Sequence, residues 1–300
     1  WRIKILSTHS GEQAATYLLL VNTPTRFNSE TTKNLARRLA ENLEAPFVEL
    51  PIDSFINETV SQIDDLQIPS PSDMKTLHLT GFMKENIQAR DRSTRILATL
   101  SSAFGGIFTC NANKTELTVG YGTLYGDLSG ALAATADLWK HQIYALGRTL
   151  NRYFDKNMIP DEIFTVRPSA ELSENQDITK GLGDPLIYEY HDFLFRSFIE
   201  PWNRITPEEI LTWYSENCLE EKLGTPVSIK SIFKTHHDFI TDLEKWWNLF
   251  AGFAVAKRIQ APPLLAVSRR PYGYDLRESQ IAPYYTDTYI HLKNSLLSNG

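Results

Sequence analysis

The sequence predicts an α/β fold, with a parallel sheet between helices up to about residue 165 and a mainly helical part over 166–300. Three observations carry this. Two short apolar runs, YLLLV at 17–21 and PFVELPI at 46–52, flank one amphipathic helical pattern, the spacing of a right-handed parallel crossover. A further apolar run, GGIFTC at 105–110, follows a long helical pattern. Beyond Pro168, helical segments succeed one another with no strand pattern between them.

YLLLV ends at Asn22-Thr23-Pro24, a strand-breaking triplet. Ser29 is suited to cap a helix that lines up Leu35, Ala36, Leu39, Ala40 and Leu43 on one face. Residues 58–80 are polar and irregular, and a loop is expected there. A helix is expected over 83–103, with Ile87, Ile96, Leu97 and Leu100 apolar and Arg90, Arg92 and Arg95 basic. Another is expected over 137–154, carrying Leu138, Ile143, Leu146 and Leu150. Three more are expected at 184–200, 206–217 and 237–256.

The chain is 42% hydrophobic and 22% charged, the composition of an ordinary globular domain. Its net charge of −6 argues against a general nucleic-acid surface while leaving room for a local basic pocket. No apolar run approaches the ~20 residues that cross a bilayer, and no signal-peptide pattern is present. Cys110 and Cys218 form neither a disulfide framework nor a CxxC pair, which suits a reducing, cytoplasmic compartment. The chain starts at Trp1 without a methionine, and we expect it to belong to a longer polypeptide or to lack segments.

Ligands of open parallel sheets bind beyond the carboxyl ends of the strands. Two such ends are visible, 22–24 and 109–116. Thr109 and Asn111 can exchange hydrogen bonds with a base or ribose. Glu116 could hold Mg²⁺, which takes one or two carboxylates and otherwise phosphate oxygens and water. Lys140, on the next helix, could meet a phosphate. The same residues also read as a solvated turn at Lys114 and Glu116 and a surface lysine at 140. In RPSAEL, Ser169 either touches a ligand oxygen or caps a helix whose dipole Glu171 favours. Arg90 and Arg92 are two apart and share no helix face; each suits a phosphate or a buried acid. Lys257, Arg258, Arg269, Arg270 and Arg277 concentrate positive charge near the C-terminus, for a phosphorylated small molecule or for the acidic surplus elsewhere. His236-His237 lacks zinc spacing. His9, His78, His141, His191 and His291 have no evident partner and are expected to be structural or exposed. No GxSxG elbow occurs.

The stretches TPTRFNSETT, ENIQARDR, TCNANKTELTVGYGTLYGD, ADLWKHQIYALGRTLN, IPDEIFTVRPSAEL, GDPLIYEYHD and AKRIQAPP run in that order through most of 17–280. Together they resemble NAD⁺ synthetase, specifically the synthetase domain of the glutamine-dependent form. The resemblance implies a Rossmann-like sheet of the adenine nucleotide alpha-hydrolase-like kind, found in N-type ATP pyrophosphatases. It implies an ATP-binding core over 1–165 and a helical part of the same synthetase domain over 166–300. It also implies conversion of nicotinic acid adenine dinucleotide to NAD⁺ with ATP, Mg²⁺ and ammonia, free or from glutamine, by a homodimer. A glutaminase domain would then lie before Trp1. Carried over by position, Thr109, Lys140 and Ser169 bind ATP, and Glu116 binds Mg²⁺. Asn86, Arg90, Asp127 and Lys257 meet the dinucleotide. Lys140, Glu116 and Asp127 carry the catalysis. The glycines after GGIF would let the backbone approach the ligand.

One departure stands out. The family's first strand ends in SGGxDS, a phosphate loop whose aspartate also binds Mg²⁺. Here the nearest text is STHSGEQAATYLLLV, with Ser10-Gly11 alone and no room before Tyr17 for the following helix. Either that loop and helix belong to the protein and are not represented here, or the chain is an impaired nucleotide-binding module. A GMP synthetase-like amidating ligase is the third alternative, and PSAEL and the KR segment argue against it.

Overall fold

The computed structural model describes residues 3–7 as backbone only, and 18–71, 73–273 and 283–298 with side chains. Ser10-Gly11, His9, Tyr17 and Arg277 lie outside the described residues. The chain folds as two compact units, Trp1–Asn111, Thr123–Ala134 and Tyr144–Pro185 in one, and Ala112–Gly122, Thr135–Ile143 and Leu186–Gly300 in the other.

The first unit runs β1 (Ile3–Ser7), β2 (Leu18–Asn22), α1 (Glu30–Asn42), β3 (Phe47–Glu49), α2 (Asp53–Ile63), β4 (Gln67–Pro69), β5 (Met74–Thr76), α3 (Gly81–Arg90), a π-helical stretch Asp91–Leu97, α4 (Ala98–Phe104) and β6 (Gly106–Ile107). Its main sheet has the order β3-β2-β1-β6. β2 and β3 pair in parallel, with Leu20 opposite Phe47 and Asn22 opposite Glu49, joined by α1 as the crossover pattern requires. β1 pairs antiparallel with both β2 and β6, so the sheet is mixed. Leu20 and Val21 are buried, as are Leu35, Leu39 and Ala40 of α1. Ser29 caps α1 by accepting the Thr32 N–H at 3.3 Å, as its position suggests.

Three expectations for this unit need correction. Residues 58–80 are not a loop: α2 extends to Ile63, and β4 and β5 form an antiparallel hairpin. Every residue of β4 and β5 is exposed, so the hairpin leaves no alternating apolar signal. GGIFTC contributes only Gly106–Ile107 to the sheet, because Gly105 ends α4 in the left-handed conformation, φ +75°. The stretch 167–172 forms no helix, and Ser169 is therefore not a helix cap. The long helix expected over 83–103 is present as α3, the π stretch and α4 in one continuous run.

The second unit contains α5 (Lys114–Val119), the start of α6 (Lys140–Tyr153), α7 (Tyr188–Ile199), α8 (Pro207–Ser215), α9 (Leu219–Leu223), α10 (Ile229–Ile232), α11 (His236–Ala251), α12 (Ala254–Gln260) and α13 (Asp287–Ser298). The expected helices at 184–200, 206–217 and 237–256 correspond to α7, α8, and α11 running into α12. Phe195, Phe198, Phe239, Leu243 and Trp246 are fully buried in this unit, with the Phe195 and Trp246 rings 5.6 Å apart, edge to face.

Candidate functional site

The stretch after GGIFTC folds because its polar residues serve its own backbone. Asn113 accepts the Glu116 N–H at 2.9 Å, and Glu116 Oε2 accepts the Asn113 N–H at 3.2 Å, a capping box that starts α5. Gly120 ends the helix with φ +65°. A Cβ there would lie 2.9 Å from the Ala254 backbone, so this glycine admits α12.

Of the two residues read as a possible solvated turn, Lys114 is buried and Glu116 is half-buried. Lys114 has no exposure, and its three N–H groups go to Asp137 Oδ1 at 2.9 Å, Ser268 Oγ at 2.8 Å and the Arg270 carbonyl at 2.9 Å. Asp137 also accepts the Ser268 hydroxyl at 2.7 Å and the backbone N–H groups of Val267 and Ser268 at 2.7 and 2.6 Å. Burial alone would raise its pKa, but these donors together hold it below the usual carboxylate range.

Glu116 and Lys140 meet on one aromatic ring. Tyr188, at the first position of α7, donates its hydroxyl to Glu116 Oε1 at 3.4 Å, and the Lys140 ammonium lies 5.1 Å from the centre of its ring. Sequence reasoning missed Tyr188, although it stands in the GDPLIYEYHD motif. At the other end of α5, Lys257 donates to the Gly120 carbonyl at 2.7 Å. Arg258 is buried and donates to the carbonyls of Thr118 and, at 2.9 Å, Phe250. The guanidinium of Arg270 stacks over Trp202 at 5.3 Å. The C-terminal basic residues are thus largely built into the fold of their own unit. His141 and His191, expected to be structural or exposed, bond Asp192 and Asp242 at 2.7 and 3.0 Å, partners the sequence did not reveal.

In the first unit a turn at 123–127 gathers three of the remaining candidates. Asp127 Oδ1 accepts the Thr123 N–H at 2.6 Å, and Thr123 donates its hydroxyl to Asn86 at 2.7 Å. Arg90 donates to the Leu124 carbonyl at 3.2 Å. Arg92 is buried and donates to the Thr23 carbonyl at 3.1 Å. Thr109 donates to Asn111 at 3.0 Å. Ser169 donates to the Gln176 carbonyl at 2.6 Å and accepts the Glu171 N–H at 3.1 Å, bracing its loop. Glu171 does not favour a helix of its own. Its buried carboxylate accepts from Ser29 N–H at 3.1 Å and the Thr32 hydroxyl at 2.7 Å, at the start of α1.

A sequence model described as NAD synthase matches residues 10–228. The glutamine-dependent NAD(+) synthetase of Thermotoga maritima is 32% identical over 187 residues, 62% of this chain and 30% of the relative. The NH(3)-dependent NAD(+) synthetase of Helicobacter hepaticus is 31% identical over 201 residues, 67% of this chain and 68% of the relative. The crystal structure of a glutamine-dependent NAD(+) synthetase from Cytophaga hutchinsonii aligns over 94% of this chain and 41% of its own, with a TM-score of 0.64 at 20% identity, and so shares the fold. The chain spans roughly a third of the length of the glutamine-dependent relatives it matches, 30% to 31% for three of them.

Proposed function

The chain belongs to the NAD synthase family, and from that premise we propose that it amidates nicotinic acid adenine dinucleotide to NAD⁺ at the expense of ATP. The observation that carries this is the pairing of a carboxylate, Glu116, and a cation, Lys140, on the Tyr188 ring. A pyridine carboxylate resists attack by ammonia because the nucleophile would load further negative charge onto an anion. Transfer of its oxygen to the α-phosphorus of ATP, with loss of pyrophosphate, removes that charge. Ammonia, free or from glutamine, then attacks the carbonyl carbon; AMP leaves and one proton is released.

In this reading Lys140 neutralises charge on the ATP phosphates, while Thr109 and Ser169 bind the nucleotide. Asn86, Arg90 and Asp127, already grouped about the 123–127 turn, bind the dinucleotide substrate. Lys257, which donates to the Gly120 carbonyl in its own unit, is assigned to the dinucleotide by the family resemblance. Glu116 fits a Mg²⁺ ion by the nature of its donor: a carboxylate oxygen suits a hard cation that takes its other ligands from phosphate and water. Bound there, the ion would supply charge neutralisation at the leaving pyrophosphate. We extend the reading to a homodimer, which light scattering would test.

The deciding experiment supplies the purified protein with the dinucleotide, Mg·ATP and ammonium and follows NAD⁺ and pyrophosphate together. Equal formation of both is expected. Dinucleotide binding with neither product would replace this reading by the impaired module. Glu116→Gln is the sharper variant, because glutamine retains the capping interaction and removes the charge. It should melt with the wild type yet lose about 10²–10³-fold in kcat, the scale of one electrostatic contact to the transition state. Wild-type turnover in that variant would remove Glu116 from the metal role.

A further inference from the structure

Tyr188 and Asp192 stand one turn apart on α7 and therefore share a face. Asp192 has no solvent exposure. Its Oδ1 accepts the Thr115 hydroxyl, and its Oδ2 accepts the His141 backbone N–H at 2.9 Å and the His141 ring Nδ1–H at 2.7 Å. The Thr115 oxygen in turn accepts the Lys140 N–H at 3.3 Å. The first N–H groups of a helix have no intrahelical partner. Here two of them, at the start of α6, are satisfied by one buried threonine and one buried aspartate. The His141 ring is further fixed by stacking on Phe193, centroids 5.1 Å apart and planes 14° from parallel.

The consequence lies in the neighbours. Thr115 directly precedes Glu116, and His141 directly follows Lys140. One carboxylate therefore holds the side chain next to the acid and the backbone next to the lysine. The Tyr188 ring, four residues earlier on the same helix, touches both side chains. We infer that Asp192 is a positioning residue that, through Thr115, sets Lys140 against Glu116; its catalytic meaning rests on the site reading given above. Asp192 touches no reacting atom in this account, and acts through the two residues that do.

The test compares Asp192→Asn, Thr115→Val and Thr115→Ser in the purified protein. Asparagine turns an N–H₂ group toward donors, and valine keeps the threonine shape without the hydroxyl. Both should lower kcat by about 10–100-fold at nearly unchanged KM for the dinucleotide, the signature of lost alignment rather than lost binding. Serine, which restores the hydroxyl, should restore kcat. A purely structural Asp192 would lower the melting temperature and leave kcat of the folded protein intact, and that result in both variants overturns the proposal. If Asp192→Asn does not fold, Thr115→Val decides. If the wild type itself forms no NAD⁺, the functional reading falls. The positioning claim is then decided by the crystal structure of Thr115→Val: a Lys140–Tyr188–Glu116 arrangement identical to the wild type overturns it, and a displaced Lys140 supports it.

Discussion

Lys114 uses every N–H it has, and Asp137 accepts four hydrogen bonds. A buried pair of this kind is worth little against an apolar replacement of both partners, but removing one partner leaves a charge with no compensation. Lys114→Met should therefore destabilise the protein by about 3–5 kcal/mol in urea unfolding, and adding Asp137→Asn should recover part of the loss. Because the folded pKa of Asp137 lies below its unfolded value of about 3.9, its contribution is complete above that value and fades as pH falls through the folded pKa. The wild type should lose stability below about pH 4, and the double variant should lose less over the same range. None of this was legible in the sequence. Lys114 stands between polar residues, and its partners lie 23 and more positions away, so local composition reads it as solvent-facing. Glu116 and Lys140 of the candidate site were singled out only through the resemblance of their motifs to the family, since their residue types alone also read as a solvated turn and a surface lysine. Tyr188 was not, since a tyrosine in an apolar segment carries no mark of its neighbours.

At the scale of elements, α5 shows how a short helix can be set by its ends. Its capping box and its left-handed glycine are both readable in NANKTELTVG once the register is known. The signal was hidden because six residues are too few to display helical periodicity. Gly120→Ala should cost about 1–2 kcal/mol for the left-handed backbone and about 1–3 kcal/mol more for the overlap with Ala254. Thermal melting measures the total, and a loss below about 1 kcal/mol would show that α12 yields without cost. α1 was legible for the opposite reason: it is long enough to repeat its apolar positions and begins at a capping serine. The β4–β5 hairpin, with both strands exposed, offered no pattern to read.

At the scale of the molecule, the order of several individually weak motifs pointed to the family, and the match over 10–228 agrees with that order. The mixed sheet was not legible. β1 is set apart from YLLLV by the SGEQAATY text, and nothing in that text states which way the strand before it runs. The division into units was not legible either, because it does not follow the order of residues. The stretches 112–122 and 135–143 fold with the later part of the chain, although they lie inside the earlier part.

That interlacing has a consequence for inheritance. A single genetic crossover at 185/186 between two related genes would hand on the first unit whole. It would also hand on Glu116 and Lys140, which fold with the second unit. The recombinant would then set the acid and lysine of one parent against the Tyr188 and Asp192 of the other. Such chimeras should keep full turnover only when the parents match at those four positions, despite the distance between them along the gene.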